Sequence, residues 1–238
     1  MKHYSMNKRA GFTLIEIAIV ILVIGLIIGG MLIGQHMVRI SQVNSILAQK
    51  NELEVAISNF QERYMMPPGD LSHASRYWPT EVNGNGNGQI YTNESHHAWR
   101  HLAKAELISG NYTGTGTGST SAADSPSSRI NNVGWAFTGM INSGVMTSMT
   151  QFGTTYYDHR TLLLVGGFGI DYATVPFLTA AEAEGMDRKI DDGLPYSGNM
   201  LGSMQSHSAL CTVGATLATK RYNVTDKTYR CAAMFVQP

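Results

Sequence analysis

The stretch that decides the fold runs from Phe12 to Gly34 and reads FTLIEIAIVILVIGLIIGGMLIG. Its 23 residues contain a single charge, Glu16. As a helix rising about 1.5 Å per residue it extends about 34 Å, enough to cross a bilayer core of roughly 30 Å. A secretory signal has an apolar core of about 7–15 residues and then a small-residue cleavage site, and this run is longer and lacks such a site. A plain membrane anchor explains the length. It also explains Lys2, Lys8 and Arg9, which precede the run without an acid and predict a cytoplasmic amino terminus. It leaves Glu16 unexplained: a carboxylate within a spanning helix costs roughly 2.5–3.5 kcal/mol and therefore implies a function and a partner.

The 238 residues carry 17 basic and 17 acidic side chains, and charged residues make up 14% of the chain, against roughly 25% in an average soluble protein. Without the first eleven residues the balance is 14 basic to 17 acidic. Nucleic-acid binding through bulk positive charge is therefore not expected. Two cysteines, Cys211 and Cys231, are too few for a disulfide-rich scaffold and have no partners at zinc-site spacing. One disulfide or two free thiols remain.

A short basic leader ends in Gly11 and is followed by Phe12-Thr13-Leu14-Ile15-Glu16 and the unbroken apolar run. This arrangement resembles a type IV prepilin or a type II secretion pseudopilin. The resemblance implies an α+β, pilin-like fold in which a long amino-terminal helix packs on a small antiparallel sheet domain. Its parts would be a leader peptide at 1–11, a helix at 12–66 with 12–34 in the membrane or filament core, and an extracytoplasmic globular domain at 67–238. It further implies cleavage after Gly11 by a prepilin peptidase and methylation of the new Phe12 amine. Glu16 would then neutralise that amine on a neighbouring subunit and set axial register, since an unpaired charge in an apolar bundle costs more than a paired one. The implied partners are other pilin or pseudopilin subunits, the peptidase, an inner-membrane assembly platform, and membrane lipid before assembly. The implied location is the bacterial inner membrane as a single-pass protein, then a periplasmic or cell-surface filament. The role is structural and not enzymatic; the alternative is a minor tip pilin acting as an adhesin or as a receptor for DNA or a host ligand. One position departs from the pattern: Ile33 stands where many major pilins carry a proline. Gly25, Gly29, Gly30 and Gly34 either loosen the helix or form small-residue contacts between helices.

Beyond Gly34, Val43, Ile46, Leu47, Leu53, Ile57, Phe60 and Tyr64 recur every three to four residues among polar neighbours, the helical period. One helix from about Phe12 to Tyr64 is predicted, stopped by Pro67-Pro68-Gly69. Next, Asn83, Asn85, Asn87, Gly88, Ile90 and Glu94 match the spacing of a calcium loop. Three neutral amides replace the usual aspartates, so only weak calcium binding is expected, and a run of Asn-Gly turns is the simpler reading. No other cofactor is expected.

A short helix is predicted over Ser95–Leu107, with His97 and His101 four residues apart but no third metal ligand. Gly114, Gly116 and Gly118 lack the Lys-Ser/Thr of a phosphate loop. Strands are predicted at 134–137, 158–165 and 172–176. Thr179-Ala180-Ala181-Glu182 is a capping box opening a helix that ends in the run Met186–Pro195. Asp187, Asp191 and Asp192 are a second candidate cation site, with Arg188 and Lys189 at hand to form a salt-bridged turn instead. Near the carboxyl end, the placement of Cys211 and Cys231 resembles the disulfide-bounded loop of many pilins. Lys220, Arg221, Lys227 and Arg230 within that loop are candidates for contact with a subunit, DNA or a host ligand, with simple solvation as the plainer reading.

Overall fold

The computed structural model describes residues 12–90, 92–114, 123–139, 161–168, 175–202, 211–214, 216 and 219–237. Among them are helices α1 (Leu14–Tyr64), α2 (Ala74–Tyr77), α3 (Thr92–Lys104) and α4 (Ala180–Ile190). The strands are β1 (Val133–Gly139), β2 (Thr161–Gly167), β3 (Met200–Gly202), β4 (Thr212–Val213), β5 (Arg221–Tyr222) and β6 (Ala233–Val236). The chain separates into a unit up to Gln42 and a unit from Val43 onward, and α1 contributes to both.

In the first unit every residue from Phe12 to Val38 is exposed, including a long succession of Ile, Leu and Val side chains. A continuous apolar surface of this size marks an interaction face, and the helix is long and apolar enough to cross a membrane. The helix persists through Ile33, as expected without a proline. A Cβ added at Gly25, Gly29, Gly30 or Gly34 meets nothing within 4 Å, so no contact within the described residues requires these glycines.

In the second unit α1 turns one stripe inward. Val43, Ile46, Leu53, Ile57 and Phe60 are buried, with Leu47 and Tyr64 at the margin, the face that the period predicted. The helix ends where Met65 enters the left-handed region at φ 58° and the following prolines prevent its continuation.

The main sheet has the order β1-β2-β6-β3, antiparallel throughout. Its register aligns Phe137 with Leu163, Leu163 with Phe235, and Phe235 with Met200. Since strand side chains alternate between faces, this row and its neighbours Trp135, Val165 and Ala233 form one face, which joins the α1 stripe and α3 in a single core. Trp99 of α3 packs on Phe137 with ring centroids 4.2 Å apart. The other face, with Ala136, Leu164, Met234 and Leu201, is buried too.

Of the strands expected, β1 extends 134–137 by a few residues and β2 covers 161–167; residues 158–160 lie outside the described residues. For the segment 172–176, residues 172–174 also lie outside them, and Val175 bridges Gly167. The expectation missed β6, which is central to the sheet. Its four residues are all buried and show no alternation from which to recognise a strand. Cys211 and Cys231 form a disulfide with Cα atoms 5.2 Å apart. The bond encloses the β4–β5 hairpin and anchors it immediately before β6. Replacing both cysteines with alanine is expected to lower unfolding free energy by about 3 kcal/mol. Equilibrium denaturation of the purified chain checks this, and an unchanged midpoint would contradict it.

Candidate functional site

The start of α1 is built as a reciprocal cap. Thr13 lies just before the first helical residue, and its carbonyl accepts the N–H of Ile17. The Glu16 carboxylate accepts the Thr13 N–H and the Thr13 hydroxyl, each at 2.7 Å, while the Glu16 N–H points to Thr13 Oγ1 at 3.4 Å. This is the Thr-x-x-Glu capping box, which satisfies donors that a helix start otherwise leaves open. Glu16 is thus neither isolated nor at the centre of the apolar run: it belongs to the first turn, where the helix dipole favours a negative charge. The full central-position penalty does not apply. The pattern is legible in Thr13-Leu14-Ile15-Glu16, where the Thr-x-x-Glu spacing opens the apolar run. Phe12 is exposed, and Gly11 lies outside the described residues.

The Asn-Gly run is organised by a residue the motif reading did not single out. Asp70 is fully buried, and its carboxylate accepts the N–H groups of Gly86 (2.6 Å), Asn87 (3.1 Å) and Gly88 (2.7 Å). Backbone donors converging in this way form a nest for an anion. The side chains of the proposed calcium ligands are used locally. Asn83 accepts from the Ser75 N–H, Asn85 from Asn87, Asn87 from Gln89, and Glu94 from Asn85, each at 2.9 Å. Glycine is required at 84, where a Cβ would lie 2.3 Å from the Asp70 backbone.

The second acidic group is assembled as expected: ligand oxygens of Asp187, Asp191 and Asp192 lie within 4.8 Å of one another. The neighbouring cations do not close on it. Arg188 pairs with Glu184 at 2.7 Å, and Lys189 donates to Asn44 at 2.5 Å. The salt-bridged turn is corrected to a turn held by neutral donors. Asp187 accepts the Tyr222 hydroxyl (2.7 Å) and the Gly193 N–H (3.1 Å). Asp191 accepts the N–H groups of Asn199, Met200 and Asp192. Asp192 accepts the Leu194 N–H and the Ser197 hydroxyl.

Burial, followed by the hydrogen bond with Asp191, pushes the Asp187 carboxyl up to about 8. Burial raises Asp191 as well, but the bonds from Asp187 and three backbone N–H groups outweigh it and hold Asp191 below the usual carboxylate range. At neutral pH, Asp187 therefore keeps a proton that it shares with ionised Asp191. Burial also raises the Tyr222 phenol, and the nearby Asp187 carboxyl adds to the effect.

The two histidines are not presented together as metal ligands. His101 is fully buried; its Nδ1 accepts the Gly69 N–H at 3.0 Å and its Nε2 lies 3.3 Å from the Val82 carbonyl. Burial pushes it down to about 4, so the ring is neutral and both nitrogens are committed. It stacks on Phe60 with centroids 6.2 Å apart. In the disulfide-bounded loop, Arg221 donates to the Lys220 carbonyl, Lys227 to the Val224 carbonyl, and Arg230 to the Thr228 hydroxyl. These cations brace the loop locally.

Two variants probe these sites. Asp70→Asn removes the anion from the nest and is expected to destabilise the chain by about 1–3 kcal/mol, with faster proteolysis at 83–88 as the direct readout. Asp187 ionises near pH 4 when unfolded but near 8 when folded, so its stabilising effect is complete below pH 4. As pH rises from about 4 to 8, stability falls by up to about 1.4 kcal/mol per unit and then levels off. Asp187→Asn keeps a donor and an acceptor without the titration, so denaturation curves at pH 5 and 8 should show its stability relative to the parent chain rising between them. An equal difference at both values would reject the shared proton.

No curated protein and no solved structure matches the chain. Residues 6–32 match the prokaryotic N-terminal methylation motif. The match runs from the basic leader across the capped start of α1 into its exposed apolar surface, and the motif is the signature of type IV prepilins and pseudopilins.

Proposed function

We propose that the chain is a structural subunit of a type IV pilus or type II secretion pseudopilus, cleaved after Gly11 and N-methylated at Phe12. The observation that carries this reading is the exposed, largely apolar stretch from Phe12 to Val38, whose one carboxylate is held at the helix start. Before assembly, lipid covers the apolar surface; after it, the equivalent helices of neighbouring subunits do. The basic leader keeps the amino terminus cytoplasmic, where a prepilin peptidase has access to the cleavage site.

Cleavage creates a cation at Phe12, at the positive end of the helix dipole. The pairing of that cation with Glu16 of a neighbour offsets two charges in an apolar bundle and selects one axial register. The cap adds a step to this scheme: both observed bonds from Thr13 end on Glu16 Oε2, so the carboxylate is oriented before a neighbour arrives. An inner-membrane platform would extract the subunit from lipid. The local bonding of Arg221, Lys227 and Arg230 gives the DNA-receptor alternative no specific support.

Mass spectrometry of the amino terminus recovered from membranes, with and without the peptidase, tests the processing. A methylated Phe12 end that depends on the peptidase is expected; an intact Met1 would reject the reading. Glu16→Ala is expected to be cleaved normally but to be reduced at least about tenfold in filaments, equivalent to roughly 1.4 kcal/mol of lost assembly free energy. Normal incorporation of that variant would eliminate the register role.

A further inference from the structure

Three Asn-Gly steps follow one another in the chain, Asn83-Gly84, Asn85-Gly86 and Asn87-Gly88. At such a step the asparagine side chain is open to attack by the following backbone nitrogen, because glycine has no Cβ to obstruct it. Gly86 and Gly88 sit at φ +74° and +83°, in the left-handed region that favours glycine, so the turns of this loop themselves require the reactive pairing. All three asparagines are exposed, which gives water access and ammonia a way out.

The attacking nitrogens are nevertheless held. The Gly86 N–H donates to Asp70 Oδ1 at 2.6 Å and the Gly88 N–H to Asp70 Oδ2 at 2.7 Å. Attack requires the N–H to lose its proton, and a carboxylate facing it opposes the negative charge that then develops on nitrogen. The two side chains are turned onto other donors: Asn85 Oδ1 accepts the Asn87 N–H, and Asn87 Oδ1 the Gln89 N–H. Asn83 is held differently. The Gly84 N–H donates to the Leu71 carbonyl at 2.9 Å, and Gly84 packs so closely on the Asp70 backbone that a Cβ would lie 2.3 Å from it.

We propose that Asn85 and Asn87 are sites of spontaneous deamidation that the Asp70 carboxylate keeps silent, and that they are modified when the loop opens away from Asp70. In the open loop the glycine nitrogen loses its proton to a solvent base and bonds to the asparagine Cγ, the side-chain nitrogen leaves as ammonia, and a succinimide ring remains. Water then adds to one of the two ring carbonyls. Breaking the new N–Cγ bond gives aspartate, and breaking the bond to the original backbone carbonyl gives isoaspartate; no oxidant or reductant takes part. Each event adds a negative charge to a loop organised around a buried carboxylate, and refolding does not undo it.

The test follows the full chain in detergent micelles, incubated at mildly alkaline pH in heavy-oxygen water. Peptide mapping by mass spectrometry reports each asparagine separately through the heavy oxygen that hydrolysis introduces. Asn85 and Asn87 are expected to deamidate at least about tenfold more slowly than in a synthetic peptide spanning residues 82–90. Asp70→Asn, which keeps an acceptor but removes the charge, is expected to accelerate both by at least about tenfold while Asn83 keeps its rate. Glu94→Gln alters the acceptor of the Asn85 N–H but touches neither attacking nitrogen, and is expected to leave both rates unchanged. The proposal fails if the parent chain reacts at the peptide's rate, if a folded Asp70→Asn chain accelerates all three asparagines alike, or if Glu94→Gln matches it. A comparison without variants decides the matter should Asp70→Asn not fold. In sub-denaturing urea, amide exchange at Gly86 and Gly88 and deamidation at Asn85 and Asn87 should rise in proportion; deamidation that rises while exchange stays constant overturns the proposal.

Discussion

The governing constraint is an apolar surface that the described residues do not cover. From Phe12 to Val38 every residue is exposed, and the hydrophobic effect, at roughly 25 cal/mol per Å², makes that largely apolar surface costly in water. Such a surface fits a bilayer or the packing of other helices. The helix start must then solve a second problem, because open backbone donors are costly in an apolar medium and a charge is costlier still. Thr13 and Glu16 address both together: the carboxylate accepts the Thr13 N–H and hydroxyl. The charge that is hardest to explain as an anchor residue is thus also part of the anchor's cap.

The second unit follows a different economy. The inward stripe of α1, α3 and one face of a four-stranded sheet share a core. Polar residues that resemble ligand sets in isolation are absorbed by the architecture around it. Asp70 gathers the backbone of the Asn-Gly run, His101 joins Gly69 to the Val82 region, and Asp187 joins the end of α4 to Tyr222 of β5. In each case burial makes an unpaired polar group costly, and local donors or acceptors meet that cost. Gln49 and Trp135, like His97 and Gln237, hold a buried polar atom that makes no hydrogen bond among the described residues.

The cap and the domain also differ in what charge does. At the helix start, the carboxylate closes the cap, and under the processing proposed above a cation at Phe12 would complement it. Inside the domain, a proton shared by Asp187 and Asp191 lowers the charge of the acidic turn. The cations nearest in sequence, Arg188 and Lys189, serve Glu184 and Asn44 instead. Sequence proximity alone assigns these partners wrongly, since successive helical residues leave the axis in different directions.

What the sequence by itself determined is whatever depends on local order. The apolar run, the 3.6-residue stripe to Tyr64, the proline stop and the Thr179 capping box all involve neighbours within a few positions, so period and composition reveal them. The motif around Gly11, Phe12 and Glu16 is equally local. Only the tertiary structure decided that β6 lies within the sheet, that Asp70 fills the Asn-Gly loop, that Cys211 meets Cys231, and that Gln49 and Trp135 line one cavity. These are pairings between residues remote in sequence. Their energies come from burial and hydrogen bonding across that separation, and neither leaves a periodic trace in the chain.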